Sequence, residues 1–127
     1  MGTNDWSLNI VGESFKNSDG SSRQAEIVRC RPGERIELRR EPNNRHDANA
    51  VAVHTARGVQ IGHIARDQSR WIGGKIDKGV HVIAIVERVH GGEPGKPSRG
   101  VLIRVNFDGE RPDQPAQRGW LARLLGL

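Results

Sequence analysis

Short runs of alternating apolar residues, each soon cut off by glycine, proline or a polar turn, constrain this chain more than any other feature of it. In the opening segment, Trp6–Phe15, residues Trp6, Leu8 and Ile10 alternate. Side chains two apart share one face of a strand, so a half-buried strand is expected, with Gly12 marking a bulge or close backbone approach near its end. Arg35–Arg39 repeats the pattern with Ile36 and Leu38 facing inward. Ala50–Ala56 and Val59–Ile64 flank Arg57-Gly58, a tight hairpin signal. Val80–Val86 is the most apolar run and is expected to be a central strand, and Val101–Phe107 closes the sheet.

Two segments read differently. Asn17–Ser22 is a turn, after which Ser21 or Ser22 is placed to cap a short helix through Gln24, Ile27, Val28 and Cys30, ended by Pro32-Gly33. A strand is the alternative there. Arg66–Lys78 carries Ile72 and Ile76 on one helical stripe, with Gly79 at the expected C-terminal position. Its Gly73-Gly74 pair costs roughly 1 kcal/mol per glycine relative to alanine, so packing must hold that helix. Gly91–Ser98 is expected to be a Gly/Pro-rich loop. The tally of about six short strands and one or two short helices makes the chain mainly β, a small antiparallel barrel or half-barrel.

With 127 residues the chain has the size of one domain. That domain is expected over residues 6–107. Residues 108–117 have the composition of a linker. Residues 118–127 pair Trp120 with Leu124 and Leu121 with Leu125, an amphipathic stripe suited to a protein partner's groove or to folding back. The net charge of +5 favours polyanions such as nucleic acid. One cysteine, Cys30, excludes an internal disulfide and a cysteine zinc cluster, which fits a reducing cytoplasm. No apolar run is long enough to cross a membrane, and the polar start is not a signal peptide, so a cytoplasmic protein without stable membrane insertion is expected. Phosphate-loop, nucleophile-elbow and zincin motifs are missing, and no cofactor or metal is expected. His46, Asp47 and His63 are the one set from which a metal pair or general base could be drawn, without characteristic spacing.

The polar stretch Leu38-Arg-Arg-Glu-Pro-Asn-Asn-Arg-His-Asp-Ala-Asn-Ala-Val-Ala-Val53 is the most distinctive in the chain. With Val11-Gly-Glu-Ser-Phe15 before it and Ile61-Gly-His-Ile64 after it, it closely resembles the HIRAN family, over residues 8 to 107. Members of that family occur fused to fork-remodelling helicases and alone in bacteria. The resemblance implies an OB-like barrel, a place in DNA repair, and capture of single-stranded or frayed DNA, particularly a free 3′ end. Residue by residue, it implies base stacking for Phe15 and for the imidazole of His46. Asp47 matches the acid that accepts from the terminal hydroxyl, with Asn44 at the neighbouring polar position. His63 and Arg66 match positions suited to phosphate oxygens. Ser14 departs from a position where fork-remodelling members carry a basic residue, and residues 91–98 bring no aromatic ring.

Each of these residues has a second reading. Phe15 is equally a core anchor. Asp47, Asn44 and Asn49 are suited to knitting their own loop. Trp71 is read as packing, and the arginines at 29, 31, 35, 39, 40 and 45 as a solvated face beside Glu34, Glu37 and Glu41. The function expected is a nucleic-acid-binding module that recognises single strands or free 3′ ends without turnover. The alternatives are a protein-interaction adaptor on the same scaffold and a hydrolase built on His46, Asp47 and His63.

Overall fold

The computed structural model describes residues 5–113. Six strands and two helices follow one another as β1 (Asp5–Val11), α1 (Arg23–Arg29), β2 (Arg35–Arg40), β3 (Val51–Thr55), β4 (Gln60–Ile64), α2 (Arg66–Asp77), β5 (Ile83–Glu93) and β6 (Lys96–Asn106). The strands close into a barrel in the order β1-β4-β3-β2-β5-β6, and every neighbouring pair is antiparallel. This is the mainly β, OB-like barrel expected from the alternation. No helix among the described residues is long and apolar enough to cross a membrane.

The period-2 positions line the barrel interior. Leu8, Ile10, Ile36, Val53, Val86 and Ile103 are buried there. Burying each such side chain contributes about 1.5–3 kcal/mol. Trp6 continues the inward phase of Leu8 and Ile10, yet it lies half-exposed, edge-on to Trp71 with ring centroids 5.7 Å apart. Helix α1 is capped by Ser22, whose hydroxyl accepts from the Ala25 N–H at 3.1 Å, and it buries Ile27 completely. Its Glu26 is buried too, and accepts from the Thr55 hydroxyl and from Arg57 Nε at 2.6 Å each. Burial opposes that charge, but the Thr55 and Arg57 hydrogen bonds outweigh it and hold the carboxyl below its ordinary range. The Cys30 thiol is pushed up to about 11 by burial and by nearby Glu34, so it is an inert core group.

Helix α2 ends where its glycine signal stands, with Gly79 at φ +80°. Its two interior glycines differ. A side chain at Gly73 would press on Arg40 at 3.1 Å, whereas nothing lies within 4 Å of one at Gly74.

One expectation fails. Residues 91–98 are the end of a long hairpin, not a loop: β5 runs on to Glu93 and β6 starts at Lys96. Gly91 and Gly92 adopt φ of +81° and +76°, and the register shifts between Gly91 and Glu93. Glycines that signal a loop in the sequence here form a bulge, which twists the ladder without ending it. Pro97 falls between the paired residues Lys96 and Arg99, so no ladder position needs its missing donor.

Residues 108–113 run against the barrel. Asn106 Oδ1 accepts from the Asp108 and Glu110 N–H groups, Arg111 reaches the Gly33 carbonyl at 2.7 Å, and the Asp113 N–H donates to Asp5 Oδ2 at 3.0 Å. The rest of the expected linker and the segment 118–127 lie outside the described residues.

Candidate functional site

The loop between β2 and β3 folds on its own polar side chains. The Glu41 N–H donates to the Ala50 carbonyl at 3.0 Å and closes its base. Asn44 Oδ1 accepts from the backbone N–H of both His46 and Asp47, at 2.9 and 3.0 Å, and Asp47 Oδ1 accepts from the Asn49 N–H at 2.9 Å. Such short-range side-chain caps replace the ladder bonds that an irregular segment lacks. The knitting role is therefore real for Asn44, and it occupies one of the two carboxylate oxygens of Asp47.

Arg40 fastens this loop from below. Its guanidinium donates to the Ala50 carbonyl at 2.9 Å and to Ala48 at 3.3 Å, while a fork of two bonds at 3.0 and 3.2 Å grips the Asp77 carboxylate of α2. The solvated-face reading fails for Arg40, because its side chain is only 17% exposed. It holds for Arg39, which pairs with Glu37 at the surface. Glu41 is the second organiser that the sequence did not announce. It accepts from His63 Nε2 at 2.7 Å and from Asn44 Nδ2 at 3.1 Å. Burial opposes its charge, but the hydrogen bonds from His63 and Asn44 prevail and keep the carboxyl below the usual range.

Strand β4 brings His63 alongside this loop, paired in register with Ala52 on one side and Val11 on the other. Gly62 makes that closeness possible, since a side chain there would sit 2.5 Å from the Val11 carbonyl oxygen. Helix α2 then starts at Arg66, whose Nη2 donates to the His46 carbonyl at 3.2 Å and whose Nε lies 4.0 Å from Asp47 Oδ2. The Ser69 hydroxyl is shared between the Arg66 carbonyl at 3.1 Å and Asp47 Oδ2 at 3.4 Å.

The result is a cavity of about 220 Å3 lined by Asn44, His46, Asp47, His63 and Arg66, with Val11, Ala50 and Ile64 as its apolar wall. The structure thus brings together five of the six residues that the family likeness picks out for DNA contact, all but Phe15. Phe15 ends the turn that follows Val11 of the cavity wall, its N–H donating to the Gly12 carbonyl at 3.2 Å. Gly12 has φ +73°, and Arg23 fixes this turn by donating to the Gly12 carbonyl at 2.8 Å and to Asn17 Oδ1 at 2.7 Å. The core-anchor reading of Phe15 is overturned: its side chain is 70% exposed. A larger cavity of about 510 Å3 lies elsewhere, between β2 and the α2–β5 connection, walled chiefly by Ile36, Leu38, Ile76, Val80 and Val82. The smaller cavity is the one that gathers an acid, an amide, two imidazoles and a guanidinium. Among the described residues, no three His, Cys, Asp or Glu side chains are grouped to hold a metal ion.

Comparison with known proteins converges on one family. Residues 7–105 match the HIRAN domain. A 34-residue stretch, 27% of this chain, is 50% identical to the helicase-like transcription factor of Mus musculus, of which it spans only 3%. Among solved structures, a protein from Lactobacillus plantarum superposes with a TM-score of 0.59 and 25% identity, covering 80% of this chain and 98% of that one. The crystal structure of the HIRAN domain of human HLTF superposes with a TM-score of 0.56 over 97% of this chain and 87% of that one, at 17% identity, and so shares the fold. With four-fifths of its length matched by the family pattern and its barrel shared with a solved member, the chain belongs to the HIRAN domain family.

Proposed function

We propose that this HIRAN domain is a DNA-binding module that holds a single strand by its free 3′ end and performs no turnover. The observation that carries this reading is the division of labour at Asp47. Its Oδ1 is committed to the Asn49 N–H, while Oδ2 has two long contacts at the cavity, 3.4 Å to the Ser69 hydroxyl and 4.0 Å to Arg66 Nε. A carboxylate oxygen so placed is an acceptor for a sugar hydroxyl, and a terminal 3′-hydroxyl is a donor that an internal nucleotide lacks. Arg66, 80% exposed, is free to turn toward a phosphate oxygen, and His63 supplies a second polar edge. Phe15 presents a ring on which a base can stack, an interaction worth about 1–3 kcal/mol. The net charge of +5 favours approach of a polyanion. A role in DNA repair follows from the family's association with fork-remodelling helicases.

The test is a fluorescence-anisotropy titration of the protein with one single-stranded oligonucleotide ending in a 3′-hydroxyl or a 3′-phosphate, and with a blunt duplex, at two salt concentrations. The hydroxyl-ended strand is expected to bind at least ten-fold tighter than the other two. Equal affinity for both strand ends removes the end-recognition reading, and no binding to any of the three favours an adaptor role.

A further inference from the structure

Helix α2 begins in the cavity but carries its cations well beyond it. Arg66, Arg70, Gly74 and Lys78 stand four apart, so they form one ridge along the helix surface. From Arg66 to Lys78 that ridge is about 18 Å long. Arg70 and Lys78 are exposed, and neither is paired with a carboxylate among the described residues. Beside the ridge, Trp71 is exposed and packs edgewise on Trp6, its ring also 5.3 Å from that of Phe107, and Lys75 Nζ lies 5.4 Å from the Phe107 centroid. These side chains border an open cavity of about 540 Å3, lined by Asp67, Arg70, Trp71, Gly74, Lys75 and Lys78. Its lining holds three cations and one carboxylate, Asp67. The helix's other exposed acid, Asp77, is engaged by Arg40.

Gly74 sharpens the picture. Glycine inside a helix costs stability, and no close packing demands one here, because nothing lies within 4 Å of the side chain it lacks. What its absence leaves is a flat shelf between Trp71 and Lys78.

We propose that this outer face of α2 is a second contact surface for a polynucleotide, taking the strand upstream of the end held in the cavity. The proposal rests on the strand-end reading for its starting point only. Arg70 and Lys78, two helix turns and about 12 Å apart, each meet a backbone phosphate, and a base between them lies on the Gly74 shelf against the face of Trp71. A row of cations one helix turn or two apart matches a linear polyanion, and an exposed indole matches a base, in the way single-strand grooves combine charge with stacking.

The experiment compares 5′-labelled oligothymidylates of four and fifteen nucleotides, both with a free 3′-hydroxyl, on the wild type and two variants. Arg70→Ala/Lys78→Ala removes the ridge charges. Gly74→Leu fills the shelf without changing charge. Arg70 and Lys78 are exposed and a Cβ at Gly74 meets open space, and a thermal melt checks that each variant is folded. The expected result is a ten-fold or greater loss for the fifteen-mer on each variant, with the four-mer unchanged. For the double variant the salt dependence also falls by about 1.4 units, at about 0.7 per lost phosphate contact. Unchanged binding of the fifteen-mer overturns the proposal, as does an equal loss on both lengths. A polyglutamate peptide that competes as well as the fifteen-mer for wild type also overturns it, assigning the face to acidic chains in general. If the four-mer fails to bind wild type while the fifteen-mer still depends on Arg70 and Lys78, the strand-end reading falls and this surface stands.

Discussion

His63 and Glu41 tie β4 to the start of the β2–β3 loop through a single hydrogen bond, Nε2 to Oε1 at 2.7 Å. Gln60 Nε2 lies 3.4 Å from Nδ1 and 3.5 Å from Nε2 of the same ring, so the imidazole has two neighbours in place before any ligand arrives. Glu41 does for His63 what it does for Asn44, and one carboxylate orients two side chains at the cavity.

That carboxylate makes the loop sensitive to acid. Its folded pKa lies below the ordinary value, so its contribution to stability is complete above the unfolded pKa, about 4.3, and is lost as the pH falls through the folded one. The loss is expected to stay under about 1 kcal/mol, because the group is a third exposed and water screens it. Glu41→Gln keeps the hydrogen-bonding shape without the charge. Urea unfolding followed from neutral to acid pH is expected to show a flatter acid limb for the variant. Superimposable limbs would mean that the Glu41 charge contributes nothing.

Asp47→Asn keeps the acceptor that caps the Asn49 N–H, and so the loop. It removes the charged acceptor at Oδ2. Affinity for a strand ending in a 3′-hydroxyl is expected to fall at least ten-fold, in line with the ~1.5–3 kcal/mol of a hydrogen bond to a charged group. A strand ending in a 3′-phosphate, which the carboxylate repels, is expected to bind as well or better. Parallel losses for the two ends, measured by anisotropy, would reduce Asp47 to a loop-shaping residue.

Phe15→Ala separates binding from folding cleanly. The ring is largely in water, so the melting point is expected to move little, within about 0.5 kcal/mol of stability. Strand binding is expected to weaken by about 1–3 kcal/mol if a base stacks there. A folded variant with wild-type affinity rules that contact out.

Two glycine substitutions are expected to act in opposite directions. Gly62→Ala drives a methyl group against the Val11 carbonyl oxygen, backbone that cannot swing aside, at the narrow β1–β4 seam. A loss above about 2 kcal/mol is expected, with the cavity widened. Gly74→Ala meets open space and is expected to raise stability by up to about 1 kcal/mol. Chemical denaturation of both variants checks the pair, and a stable Gly62→Ala would mean that the seam has room to spare.

The strands were legible because their signal is local: Leu8 and Ile10, or Ile36 and Leu38, announce a buried face within a few residues. Both helices were legible for the same reason, from the Ser22 cap and from the Ile72–Ile76 stripe closed by Gly79. The bulged hairpin at Gly91-Gly92 was not, because a glycine pair means loop or bulge according to what lies across from it, and the partner Arg99 is set by the fold. Arg40 and Glu41 were read as parts of a solvated face for a related reason. One charged side chain on a strand looks like any other until Asp77 and His63, far along the chain, are brought to meet it. The residues gathered at the cavity were named through a family likeness; alternation and charge alone would have left Asn44 and Asp47 as turn formers.

The first and last strands of the barrel are neighbours: Asp5 pairs with Asn106, and its carboxylate also takes the Asp113 N–H. Entry to and exit from the barrel are therefore side by side, separated by little more than the ~4.8 Å spacing of adjacent strands. A body with its two doors together is a cassette. It can be spliced into the surface turn of a larger polypeptide, or appended to either side of one, without prying open the host or tearing its own wall. Portability of this sort is a property of the β1–β6 seam alone, and it asks nothing of whatever protein carries the domain.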